Sequence, residues 1–258
     1  MIEIIAHNYG ADHANAIHND AGARQHGFAG ALVPGVAVYG YLMRPAVNAW
    51  GLDWLAHGAA SVRFLHPVYD GERVTAQAES TTERALSLQL LNAAPTVCAV
   101  GTATLPAKLN SVAVNDYEPC ETLLRPPTMA AFQLNEPLGS LEFTLNWHNE
   151  GAAFLANMND PDVFYQRTIH PAFWLAQANE IFMRNIALGI WIHTASEIQH
   201  YELAQDGEPV SLHGRVSELY EKKGHEYLVA DLAAFGEHER PLVQIKHTAI
   251  IRLREGQP

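Results

Sequence analysis

The 258-residue sequence predicts an α+β fold built twice over. Three observations lead there: an apolar stripe at helical spacing, a run of short β-rich stretches behind it, and the return of both in the same order downstream. After Pro34-Gly35 the chain reads VAVYGYLMRPAVNAW, where Val36, Tyr39, Met43, Val47 and Trp50 recur at three- and four-residue steps, the stripe of a buried helix. Pro45 falls inside it and is expected to kink it, since proline has no N–H to give and its ring crowds the preceding turn. The stretches ASVRFLHPV, ERVTAQAEST, ALSLQLLN and TVCAVGTATL follow, parted by Asp70-Gly71, Thr82-Glu83 and Ala94-Pro95. The first unit therefore reads as one helix and four antiparallel strands.

Downstream, AFWLAQANEIFMRNIAL leads into SEIQHYEL, PVSLHGRVSEL, EYLVADLAAF and LVQIKHTAIIRL. A shift of 136 from Pro34 onward superimposes the halves without a gap, placing His57 on His193, Ala59 on Ala195, and Asp70-Gly71-Glu72-x-Val74 on Asp206-Gly207-Glu208-x-Val210. Agreement of helix, turn and strand spacing together marks a duplication. The D-G-E motifs themselves are ordinary turn chemistry and read as structural, as does Lys222-Lys223 at a hairpin tip. Between the halves Pro119, Pro126, Pro127 and Pro137 interrupt regular structure and predict an extended connector. The division expected is a unit at 1–110, a linker at 111–137 and a second unit at 138–254.

Composition narrows the class of function. With 48% hydrophobic residues the chain can bury a substantial core, and a formal charge of −12 without a dense Lys/Arg stripe argues against nucleic-acid binding. Cys98 and Cys120 have no C-x-x-C or Cys/His spacing, so neither a disulfide framework nor a zinc site is expected. The N-terminus MIEIIAHNYG lacks a basic segment ahead of an apolar one, and no apolar run of about 18 residues occurs, so a soluble cytoplasmic protein is expected.

The segment NAIHNDAGARQHGFAGALVPGVAVYG carries the chemistry. Its Asn15, Ile17, His18 and Asp20, followed by Gly27-Phe28 and Gly35, resemble the motif of the MaoC-like (R)-specific enoyl-CoA hydratase and dehydratase family, approximately S-G-D-x-N-P-x-H-x-D and then a Gly-Phe segment entering the central helix. VRFLHPVYDGERV resembles that family's later strand and turn. The resemblance implies a tandem (double) hotdog, each half a long central helix wrapped by a curved antiparallel sheet. It also implies reversible hydration of a 2-enoyl-CoA, or dehydration of a 3-hydroxyacyl-CoA, without metal or redox cofactor and with coenzyme A as part of the substrate. An acyl-carrier thioester is less suited, because an acidic carrier protein needs a basic docking face. The sequence departs from the motif where the family places an acidic partner five residues before the histidine: that position is His13. The motif proline is Ala16, and the residue before the glycine, commonly histidine, is Pro34.

Hydrating an enoyl thioester requires a water deprotonated at C3, a proton delivered at C2, and a donor for the charge gathering on the thioester oxygen. His18 is the candidate base, because an imidazole near its ordinary value of about 6.5 can accept and return a proton at neutrality. Asn15 is placed to hold the water, and Asp20 or His13 to orient His18 or relay the second proton. Competing structural roles are a turn cap for Asn15 and a cap of the AGARQH turn by Asn19-Asp20. Gly35 supplies an unpaired N–H at a helix start, with tight packing as its alternative role. Arg63 and His170 are candidate substrate contacts.

The second half lacks this set, since the shift places Phe154 on His18, Ala156 on Asp20 and Pro171 on Gly35. One site per chain follows, with Phe154, Phe164, Phe173 and Trp174 available to shape an acyl pocket. Two other functions compete. A hotdog thioesterase would need a carboxylate on or near a helix, which VAVYGYLM lacks and Glu180 supplies. A non-catalytic acyl-thioester-binding or repurposed pathway protein would explain the missing motif carboxylate. Two fused units satisfy the usual dimer requirement internally, so a monomer and a homodimer are both expected possibilities.

Overall fold

A computed structural model describes residues 1–13, 15–160, 165 and 168–254. Ten strands form one sheet: β1 (Ile2–Ile5), β2 (Ala59–Phe64), β3 (Arg73–Thr82), β4 (Ala85–Asn92), β5 (Val97–Thr104), β6 (Pro137–Thr144), β7 (Ile192–His200), β8 (Pro209–Lys222), β9 (His225–Phe235) and β10 (Pro241–Arg252). Four helices accompany them: α1 (Asp20–Gln25), α2 (Gly35–His57), α3 (Trp147–Asn157) and α4 (Ala172–Asn185). The strand order is β1-β3-β4-β5-β2-β7-β10-β9-β8-β6, so each half contributes five strands in the same internal order, mirrored about the β2–β7 seam. Across the seam Ala59 lies opposite Gln199 and Arg63 opposite Ala195.

The long helix of each half packs on the inner face of this sheet. In α2, Tyr39, Tyr41, Leu42, Met43 and Trp54 have no exposed surface, which fits a helix apolar on most sides and enclosed by strands. Truncating one such leucine to alanine typically costs about 2–5 kcal/mol. The helix keeps helical dihedrals through Pro45 and breaks instead at Gly51, where φ is 54° and ψ −132°. Pro45 forfeits a single backbone bond, while only glycine enters the conformation of residue 51 without a Cβ penalty.

Each half has five strands rather than the four read from sequence. β1 is only four residues long, and β6 begins at a proline, so neither carries a legible alternation. α3 was likewise hidden. The gapless shift holds through the D-G-E turns and then slips, because β8 and β9 have 14 and 11 residues against 10 and 8 in β3 and β4. The turns repeat one hydrogen-bond pattern. Asp70 accepts from the Asn8 N–H and Asp206 from the His148 N–H, while the N–H groups of Gly71 and Gly207 reach back to the carbonyls of Ala6 and Leu145. Positive φ values of 72° and 84° explain the two glycines.

The connector between halves contains two single 3₁₀ turns, Val114–Asp116 and Met129–Ala131. It lies along the second half, where Tyr117 packs on Ala233 and Phe235 and donates to Asp231 at 3.1 Å. Among the described residues no helix is long and apolar enough to cross a membrane.

Candidate functional site

A cavity of about 720 Å³ opens where the N-terminal segment and the start of α2 meet α4 of the second half. His13, Asn15 and His18 line it from one side, with Tyr9, Pro34 and Val36 beside them. Gln177, Asn179, Glu180, Met183 and Arg184 of α4 face them, joined by Trp191 and by residues of β6 and α3.

His18 is fixed by its own chain. Its Nδ1 lies 2.8 Å from the Leu32 carbonyl oxygen, which can only accept, so the neutral ring carries its proton on Nδ1 and leaves Nε2 as a base. Burial lowers its pKa from the usual imidazole value, against the Leu32 carbonyl, which favours the charged form; nearby His13 adds to the lowering. The ring is therefore neutral at pH 7. It sits beside the helix start, for a Cβ on Gly10 would stand 3.0 Å from both His18 Cγ and Pro34 Cγ. His13 meets it edge-on at 6.2 Å between ring centroids, and Tyr9 meets His13 at 5.6 Å. Burial raises the Tyr9 pKa, with Tyr41 adding to it, so its hydroxyl stays protonated.

Other sequence candidates occupy different places. Asn15 lines the cavity, yet its Nδ2 donates to the Trp191 carbonyl at 3.0 Å and its Oδ1 caps the Ile17 N–H at 3.4 Å, tethering the segment to the second half. Asp20 is outside the cavity: it accepts from the Ala31 N–H at 2.9 Å and pairs with Arg24 at 3.2 Å, stapling the loop ahead of α2. Asn19 is the cap of α1, accepting from the Gly22 N–H at 2.8 Å. Gly35 does not line the cavity, although its neighbours Pro34 and Val36 do. A Cβ there would stand 3.2 Å from His193 Nδ1 and 3.3 Å from Phe64, so its missing side chain lets those two rings close beneath the helix start. Among the described residues the Gly35 and Val36 amides have no protein acceptor, as expected of a first helical turn.

Arg63 is exposed on β2 and lines a groove on the outer face of the sheet with Glu197 and Lys246, away from His18. His170 is fully buried. Its Nδ1 accepts from the Ala172 N–H at 3.1 Å at the start of α4, and its Nε2 lies 3.4 Å from Asp160, which also pairs with Arg44 Nε at 3.2 Å. Arg44 is the position that the 136-residue shift matches to Glu180, so where Glu180 lines the cavity its first-half counterpart is held in an ion cluster. Phe154 and Phe173 line the cavity, Trp174 is buried in the core, and Phe164 lies outside the described residues. Sequence reasoning missed Tyr9, Asn179 and Trp191. The signal for Asn179 was present, since Gln177, Asn179, Glu180 and Arg184 form the polar side of an otherwise apolar helix.

Fold and cavity define a double hotdog protein, with both halves contributing walls to one cleft. Among solved structures, a protein from Chloroflexus aurantiacus described as a MaoC-domain dehydratase superimposes with a TM-score of 0.62 at 11% identity, over 99% of this chain and 94% of that one. A double-hotdog protein of Mycobacterium tuberculosis, described as essential for bacterial survival during infection, gives 0.63 at 11% identity over 96% and 93%. One from Lactobacillus plantarum described as an oleoyl thioesterase gives 0.56 at 10% identity over 99% and 96%. These likenesses are of fold. No protein-family model matches the sequence, and no curated protein matches it.

Proposed function

We propose that the protein acts on acyl thioesters in the cleft beside His18, as a hydro-lyase that adds water reversibly to a 2-enoyl thioester. The observation that carries this reading is the fixed tautomer of His18: with Nδ1 committed to Leu32, Nε2 is a neutral base on the cavity wall. In the hydration direction Nε2 takes a proton from water as the oxygen bonds to C3, and the imidazolium, or His13 next to it, returns a proton to C2. Of the two unpartnered first-turn amides, that of Val36 belongs to a residue lining the cavity and offers a donor for the thioester oxygen, where one well-aimed donor is typically worth about 2.7–4 kcal/mol in the transition state. Coenzyme A is the carrier favoured for the first assays. The MaoC-domain description of the Chloroflexus structure agrees with this chemistry.

One observation favours a second reading. Glu180 lines the same cavity from α4, in the role a hotdog thioesterase gives to a carboxylate, and the Lactobacillus structure is described as a thioesterase. Crotonyl-CoA separates the two when enoyl absorbance and free thiol are followed together. Enoyl loss without thiol supports hydration, thiol release with the enoyl intact supports hydrolysis, and neither signal with retained binding leaves an acyl-thioester-binding protein.

A further inference from the structure

The large cavity continues into a recess of about 170 Å³ to which the first half contributes nothing. Trp147, Phe154 and Phe173 wall it, with Glu150, Asn146 and Asn157 between them. The three rings are mutually inclined, with centroids 5.7 Å (Trp147–Phe154), 5.9 Å (Phe154–Phe173) and 6.0 Å (Trp147–Phe173) apart and interplanar angles of 56°, 64° and 85°. Their π-faces are therefore turned in three directions, as the sides of a box are. Trp147 is held in place by its indole N–H, which donates to the Tyr165 carbonyl at 2.7 Å.

Carboxylates outnumber cations in the cavity wall. Glu142, Glu150 and Glu180 stand in its wall against a single guanidinium, that of Arg184, and Arg184 is held by Glu180 at 2.7 Å. Among the described residues neither Glu142 nor Glu150 pairs with a lysine or arginine. An aliphatic chain would gain from the rings but nothing from Glu150, and an anionic group would be repelled. A compact organic cation gains from both, because ring quadrupoles attract cations and a carboxylate at the rim adds a Coulomb term.

We infer that the recess is a binding site for an organic ammonium group, trimethylammonium being the best-fitting size. This deepens the acyl-thioester reading and rests on it for the rest of the ligand: the substrate is an enoyl or hydroxyacyl thioester whose far end carries a cationic ammonium. Glu150 also lies in the first turn of α3, where any carboxylate favours the helix. The readout that separates the two roles is charge selectivity, which a helix-supporting carboxylate does not influence.

The test compares choline with its neutral carbon isostere, in which a tert-butyl group replaces trimethylammonium, by calorimetric titration of the whole protein. Choline is expected to bind at least about tenfold more tightly than the isostere. Glu150→Gln is expected to shrink that ratio while leaving thermal unfolding nearly unchanged, and Phe154→Leu, which also loses ring packing on Trp147 and Phe173, to shrink it with a modest fall in the thermal midpoint. Equal or tighter binding of the isostere, or no binding of choline, overturns the inference. A second arm offers short 2-enoyl thioesters ending in trimethylammonium or in tert-butyl. Turnover of both without preference defeats the ammonium site and leaves the hydro-lyase standing. Choline selectivity without turnover of either thioester defeats the hydro-lyase and leaves the ammonium site standing.

Discussion

Acidification to about pH 5 is expected to remove several kcal/mol of stability, because three imidazoles are enclosed next to the seam of the sheet. His193 is held down to about 3 by burial, opposed by a bond involving the Ala195 backbone, and His200 to about 4 by burial alone. His247 lies well below its ordinary value, through burial first and then the neighbouring His193. The rings of His193 and His247 are 4.2 Å apart, bridged by the Ser196 hydroxyl at 2.8 and 2.9 Å, so a charge on either ring would stand against the other without water. All three are neutral in the folded chain, while in the unfolded chain each titrates near 6.5. Stability from this source is complete above about pH 6.5 and falls as pH drops through the window down to the folded values, since the unfolded state then binds protons that the fold refuses. Over about 1.5 pH units His193 and His200 each forfeit about 2 kcal/mol at 1.36 kcal/mol per unit, about 4 kcal/mol together, and His247 adds to the loss in the same direction. A domain of ordinary stability holds only about 5–15 kcal/mol in total, so unfolding near pH 5 is within reach. Urea titrations followed by tryptophan fluorescence at several pH values between about 7 and 5 measure the slope. His200→Gln should reduce that slope by about one proton. A free energy flat across this window, or an unchanged slope in the variant, would refute the argument.

His18→Ala should lower turnover of a 2-enoyl thioester by about 10²–10⁴-fold with the thermal midpoint nearly retained, as measured by enoyl absorbance and calorimetry. For Asp20→Ala the expectation is the reverse. Its bonds staple a loop outside the cavity, so stability should fall by about 0.5–1.5 kcal/mol in urea unfolding, and turnover per folded molecule should stay within about twofold. Gly207→Ala forces a Cβ into a turn with φ of 84° while nothing crowds the position, so a loss of about 1 kcal/mol from backbone conformation alone is expected in the same assay. Gly35→Ala must displace Phe64 or His193, and should cost stability as well as turnover, which simultaneous calorimetry and kinetics would show.

Much of the architecture was legible because it rests on short-range patterns. α2 announced itself through an apolar stripe, β2 to β5 through alternation and turn residues, and the duplication through the return of both. Elements stabilised by distant partners were not legible. β1 and β6 are edge strands that gain their identity only by pairing with β3 and β8, and α3 is seated by tertiary contacts. The cavity divides along the same line. His13, Asn15 and His18 were visible as a local motif and do come together, whereas Asn179 and Trp191 reach them across about 170 residues through the packing of the second half on the first. Asp20 and His170 misled because a side chain's direction in a turn is set by its immediate bonds, to Ala31 in one case and to Ala172 and Asp160 in the other. Pro45 misled in a different way, since the enclosure of α2 tolerates one forfeited backbone bond and the break falls six residues later.

The cluster of Arg44, Asp160 and His170 has a consequence for how such a molecule can change. In an assembly of two identical chains every substitution is made twice, so a cleft cannot be plugged at one end without plugging its twin. Joining the copies into a single polypeptide removes that obligation. In this chain Arg44 sits in a buried ion cluster while its match, Glu180, borders an open cleft.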